Sequence, residues 1–141
     1  MAIATDHIDI PILADMKAEV LEISDNKVRA KMPFTSNRNH VGTMYAGSLF
    51  TLAEFPAGVL FVRRVDPTKI APLVAEMKIR YRRPATSDIY IDFEITEEDL
   101  NRMETETLAE GKSTLISEQE LKDEKGEVVA IAEARYVWLK V

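Results

Sequence analysis

Glu54 is the residue that most needs explaining. It stands in a stretch rich in apolar side chains, Leu49-Phe50-Thr51-Leu52-Ala53-Glu54-Phe55-Pro56-Ala57-Gly58-Val59-Leu60-Phe61. A carboxylate carried into an apolar setting is costly to desolvate, so it requires a partner or a chemical task. Seven positions earlier is Gly47, and two turns of an α-helix bring such positions back to one face. Thr51 falls between them and Gly58 extends the same stripe. If the helix begins near Ala46-Gly47, its first amides are unpaired donors under a partial positive charge, suited to an oxygen that gains negative charge. Gly47 would also let a ligand approach the backbone closely. Just upstream, Asn39 and His40 offer an amide and an imidazole, and His alone titrates near neutrality. Downstream, Lys78, Arg80, Arg82 and Arg83 form the one cationic cluster, able to receive phosphates or an acidic protein surface. Each has a plainer reading. Glu54 could pair with an Arg at a subunit interface, Asn39 could cap its own loop, His40 could be a bystander, and the cations could line a solvated strand. No role is assigned to His7.

These residues need a scaffold, and the pattern supplies one. Residues 45 to about 64 read as a largely buried helix with Pro56 inside it, which predicts a kink near Leu52. Residues 73–83 and 89–96 alternate apolar and polar side chains with period two, as antiparallel strands with one wet face do. Further strands are expected at 19–24 and 27–33, joined by Asp25-Asn26, and at 113–122 and 127–139, joined across Asp123-Glu124-Lys125-Gly126. Pro11 suits the first turn of a short helix. Residues 35–44 read as a loop, and 97–111, being polar, as a loop or short helical excursion. Ala130, Ala132 and Ala134 share one face of the last strand and would let the long helix approach. The order, a strand pair, a long helix, then four strands, predicts an α+β architecture: one curved antiparallel sheet wrapped around one helix. With 141 residues, residues 1–141 are expected to form a single domain. Nucleic-acid binding is disfavoured by the net charge of −6. The absence of cysteine excludes disulfides and thiolate metal sites and fits a cytoplasmic setting. Residues 1–9 contain no Lys or Arg, so neither a secretory signal nor a membrane span is expected. Two His and no Cys leave little with which to build a metal site.

The run Asn39-His40-Val41-Gly42-Thr43-Met44-Tyr45-Ala46-Gly47-Ser48 with Ala53-Glu54 resembles the loop and helix start of hotdog-fold thioesterases of the phenylacetate-pathway type. It is closer still to an uncharacterised, thioesterase-like branch of that superfamily (DUF4442-like). Lys78-Ile79-Arg80-Tyr81-Arg82-Arg83-Pro84-Ala85 is similar to the strand after the helix, and Gly126-Glu127-Val128-Val129-Ala130 to the last hairpin; together the likeness spans roughly residues 17 to 139. It implies an acyl-CoA thioesterase. Glu54 would be the catalytic carboxylate, acting on a carbonyl bound by the neighbouring subunit. Asn39 would orient the water or the carbonyl, while Ala46 and Gly47 would receive the oxyanion. Tyr45 stands where those enzymes have His, and Ala46 where they have Gly. The alternative is therefore a non-catalytic protein that holds an acyl-CoA or an acyl carrier protein. No cofactor is implied beyond the CoA moiety of the substrate, and the assembly is expected to be a homodimer or a dimer of dimers.

Overall fold

The computed structural model describes residues 10–141; His7 and the reading of residues 1–9 lie outside the described residues. In chain order the elements are α1 (Pro11–Met16), β1 (Glu19–Ile23), β2 (Lys27–Met32), a single 3-10 turn (Thr35–Asn37), α2 (Ala46–Arg64), β3 (Ile70–Tyr81), β4 (Ile89–Glu94), α3 (Glu97–Glu110), β5 (Lys112–Lys122) and β6 (Val128–Lys140). The strands form one antiparallel sheet in the order β1-β2-β4-β5-β6-β3.

Period two sets the inner face. Val28, Ala30 and Met32 of β2, Ile89, Ile91 and Phe93 of β4, and Ala130, Ala132, Ala134, Tyr136 and Trp138 of β6 are all buried. Across them lies α2, which inserts Leu49, Leu52, Phe55, Val59, Leu60 and Phe61. Phe61 meets Tyr136 and Trp138 edge to face, each at 5.2 Å between ring centroids. Fully burying side chains of this kind contributes roughly 1.5–3 kcal/mol apiece, so this layer dominates the stability. By length and composition α2 would also span a membrane, but most of its apolar side chains are buried in the core and only Phe50 and Val62 of its large ones are exposed. The helix runs unbroken through Pro56, with Val65 turning to extended backbone just ahead of Asp66-Pro67.

Two expectations change. The helix backbone comes nearest β2, where Ala30 is the small residue, and not the alanine row of β6; it also approaches β3 at the far edge, because the sheet curls around it. Residues 97–110, read as a loop or short helical excursion, are a regular helix of 14 residues. Thr96 caps it by accepting the Asp99 amide at 3.1 Å, three acidic residues occupy the first turn, and Gly111 closes it in the left-handed conformation. Its polarity hides a narrow buried stripe, Leu100, Met103 and Thr107.

The strand β3 is an edge. Along its 12 residues it leaves Leu73, Val74 and Tyr81 exposed. Long exposed edges of this kind are templates for pairing with another chain.

Candidate active site

The site grows from the loop between the 3-10 turn and α2. Asn37 is buried there and satisfied on every side. Its Nδ2 donates to the carbonyls of Met16 and Pro33, both at 2.8 Å, and its Oδ1 accepts from the Ser48 hydroxyl at 2.8 Å. Its backbone carbonyl accepts the Tyr45 amide at 2.8 Å, and the Met44 amide donates to Ala85 at 2.8 Å. The entry to α2 is thereby tied to α1, to the end of β2 and to the segment after β3. The next two amides, Ala46 and Gly47, have no acceptor among the described residues, since no side chain caps the helix and the bonds to Tyr45 begin at Ser48. Two free N–H groups at a helix start are what the spacing predicts. The exposed Tyr45 ring lies against Gly47, where a Cβ would displace it.

Beside Ala46 is a groove of about 460 Å³, lined by Asn39, Thr43, Ala46, Tyr81, Arg82 and Arg83 among others, and not by Gly47. It is the more apolar of the large hollows. A bigger one of about 580 Å³ at the other end of α2 is lined by Asp25, Arg63, Arg64 and Glu97, charges of both signs. Asn39 lines the groove, but its amide is occupied: Nδ2 donates to Thr43 Oγ1 at 2.8 Å, and Oδ1 accepts the amides of Val41 and Thr43 at 3.0 and 3.1 Å. This is the loop-capping arrangement. His40 is exposed and outside the lining. Arg82 and Arg83 reach the groove because the strand ends at Tyr81, and both their amides turn back to the Val129 carbonyl. Arg83 is held by Glu127 at 2.9 Å, whereas Arg82 forms no ion pair among the described residues. Arg80 does not reach it. Met77 and Ile79 pack on the core, so Lys78 and Arg80 project from the opposite face of β3.

Glu54 lies two turns along the helix and is not in the groove lining. It shares a partly open stripe with Gly47, Thr51 and Gly58. The Thr51 hydroxyl donates back to the Gly47 carbonyl at 2.8 Å, so it is used within the helix. Glu54 forms no hydrogen bond or ion pair among the described residues, and burial alone pushes its carboxyl pKa up from the ordinary 4.5. Under the helix, Tyr136 of β6 has its hydroxyl pKa raised by burial first and then by the Glu54 charge. The effect runs one way because the tyrosine is still neutral when Glu54 ionises. Among the described residues no group of three His, Asp or Glu is placed to hold a metal.

Residue reasoning missed Asn37, Ser48, Tyr81 and Tyr136. Tyr81 was visible as part of the Tyr-Arg-Arg-Pro-Ala run, but nothing local marked the others.

A family model for a domain of unknown function, DUF4442, matches residues 5–139. The chain belongs to the DUF4442 family. This DUF4442 chain is 37% identical to a Pseudomonas aeruginosa protein of unknown function described as a probable thioesterase, covering 100% of this chain and 99% of that one with a TM-score of 0.91. A protein of unknown function from Chlorobaculum tepidum, 18% identical, aligns over 94% of this chain and 88% of its own with a TM-score of 0.81. A thioesterase from Haemophilus influenzae, 11% identical, aligns over 92% and 82% respectively with a TM-score of 0.69. The last two share the fold alone, and that fold is the hotdog. No curated protein matches the sequence.

Proposed function

We propose that the protein hydrolyses an acyl thioester, with acyl-CoA as the substrate class. The observation that carries this reading is the pair of free amides at the start of α2, Ala46 and Gly47, the first of which lines a groove shared with Arg82 and Arg83. The likeness to the Pseudomonas aeruginosa protein, itself a probable thioesterase, supports it. The thioester carbonyl oxygen lies against the two amides, which stabilise the charge it gains when water attacks the carbon. Glu54 takes a proton from that water, and the C–S bond breaks as the proton passes to the departing thiolate. One chain cannot complete this alone. Seven residues of helix separate Gly47 from Glu54 by about 10 Å, beyond the reach of a glutamate to a carbonyl held at Gly47. The reading therefore requires a homodimer, paired through the exposed edge β3, in which Glu54 serves the groove of the partner. A cytoplasmic setting suits a cysteine-free chain acting on CoA esters.

Thiol release from a panel of acyl-CoAs of graded chain length tests this. Hydrolysis of at least one supports it; a rise in melting temperature with an acyl-CoA and no turnover supports a binding protein instead. That second reading has its own observations, the engaged amide of Asn39 and the Tyr45 ring lying over Gly47.

If the phosphates of CoA lie against the free cation, Arg82→Ala should raise KM for acyl-CoA about fivefold with kcat unchanged, the effect of one exposed charge contact. A thioester of N-acetylcysteamine, which lacks the nucleotide, should show no change.

A further inference from the structure

We propose that two copies of the chain join along β3 with Met77 on the two-fold axis, so that Glu76 of each copy pairs with Lys78 of the other. The inference rests on the thioester reading for its need of a second copy, and on the strand itself for the register. β3 closes one side of the sheet: β6 pairs along it, and its other side meets no strand among the described residues.

The strand limits where a second copy can pair. Pro72 has no N–H to give, and Ala75 is an extra residue that interrupts the ladder between Val74 and Glu76. Regular pairing is therefore confined to residues 76–81. Met77 and Ile79 pack toward the core, so Glu76, Lys78 and Arg80, all exposed, project from the opposite face. In a self-complementary antiparallel pair the numbers of opposed residues have a constant sum, and that sum must be even for the inner faces to stay together. An axis at Glu76, Lys78 or Arg80 sets a charge against itself, although the Lys78 axis also pairs Glu76 with Arg80. An axis at Ile79 sets Lys78 against Arg80 twice, and one at Tyr81 sets Arg80 against Arg82. Only the Met77 axis opposes Glu76 and Lys78, twice, with no like charges face to face.

Both charges are available for this. Among the described residues neither Glu76 nor Lys78 forms an ion pair. On β6 Glu76 faces Arg135 and Lys78 faces Glu133. The row crossing the seam is then Arg135 and Glu76 of one copy followed by Lys78 and Glu133 of the second copy, alternating in sign. The same register sets Tyr81, in the groove lining, level with Leu73 of the second copy. The neighbouring Val74 pairs with Tyr136, whose hydroxyl feels the Glu54 charge. The seam thus carries Glu54 of the second copy toward the groove.

The chain has no cysteine, so single cysteines report the register directly. The test places Met77→Cys, Lys78→Cys and Ile79→Cys one at a time in the full chain, adds diamide, and follows the cross-linked dimer on non-reducing gels. Met77→Cys is expected to cross-link about tenfold faster than the other two, because only directly opposed side chains come within disulfide reach. Faster reaction at Lys78→Cys or Ile79→Cys overturns the register, as does no cross-linking at any position. Light scattering of the wild type should give twice the 15.9 kDa of the chain; a single-copy mass overturns the seam altogether. Turnover is a separate readout: if wild type hydrolyses no thioester while Met77→Cys cross-links as expected, the reading of the reaction falls and the seam stands.

Discussion

Glu54→Ala is expected to lower kcat for acyl-CoA hydrolysis about a thousandfold, the middle of the range for losing a general base. KM should change by no more than a few fold, since the groove that would bind the thioester is lined by other residues. A merely structural carboxylate would leave kcat per folded molecule untouched, so steady-state kinetics decide the matter. Glu54→Gln keeps the shape and should lose the same activity. It should also make the fold more stable at neutral pH. Burial raises the Glu54 pKa above 4.5 in the folded protein. Below the ordinary value both folded and unfolded chains are protonated there, and the side chain carries no desolvation cost. As pH rises through the folded value, the native state must ionise a partly buried group that the unfolded chain ionises in water, and stability is lost. The glutamine variant avoids that loss, so its melting temperature should exceed wild type at pH 7 and the gap should close below about pH 4. By the same shift, the acid limb of kcat/KM in wild type should lie above 4.5.

Asn37→Ala is expected to be the most damaging change to the fold near the site. It leaves the buried Ser48 hydroxyl without its acceptor, the Pro33 carbonyl without the Asn37 amide, and the Met16 carbonyl with only the longer bond from the Ser36 hydroxyl at 3.4 Å. Stranding buried polar groups in this way costs roughly 3 kcal/mol, a fall in melting temperature of roughly 10 °C for a domain of this size. Asn37→Asp should fare little better, because an ionised carboxylate accepts from Ser48 but cannot donate to the two carbonyls. Thermal unfolding followed by circular dichroism measures both. A loss under about 1 kcal/mol would show that the anchor is dispensable.

Period two and apolar runs made most of the sheet legible, since β2, β4 and β6 each present one buried face. The helix start was legible as well, because Ala46 and Gly47 follow a glycine-containing loop and precede an apolar run. The two asparagines of the loop could not be separated in the same way. Asn37 and Asn39 stand two residues apart, and which one is buried depends on α1 and Ser48 arriving at that point, which is a tertiary event. The resemblance pointed to Asn39, whose amide closes its own loop. Arg80 and Arg82 share a parity that would place both on one strand face. Only the end of β3 at Tyr81 turns Arg82 toward the groove. The helix α3 carried its cap and its stripe openly in Thr96, Asp99, Leu100 and Met103, but its many charges resemble those of a solvated loop.

The most direct test of the proposed chemistry is a crystal structure with an acyl-CoA thioether ketone, which keeps the carbonyl but cannot be hydrolysed. The account predicts the carbonyl oxygen within hydrogen-bond distance of the Ala46 and Gly47 amides, the nucleotide phosphates beside Arg82, and the Glu54 carboxylate of a second copy facing the carbonyl carbon. A ligand seated away from those amides, or Glu54 of both copies turned from the carbonyl, would contradict it.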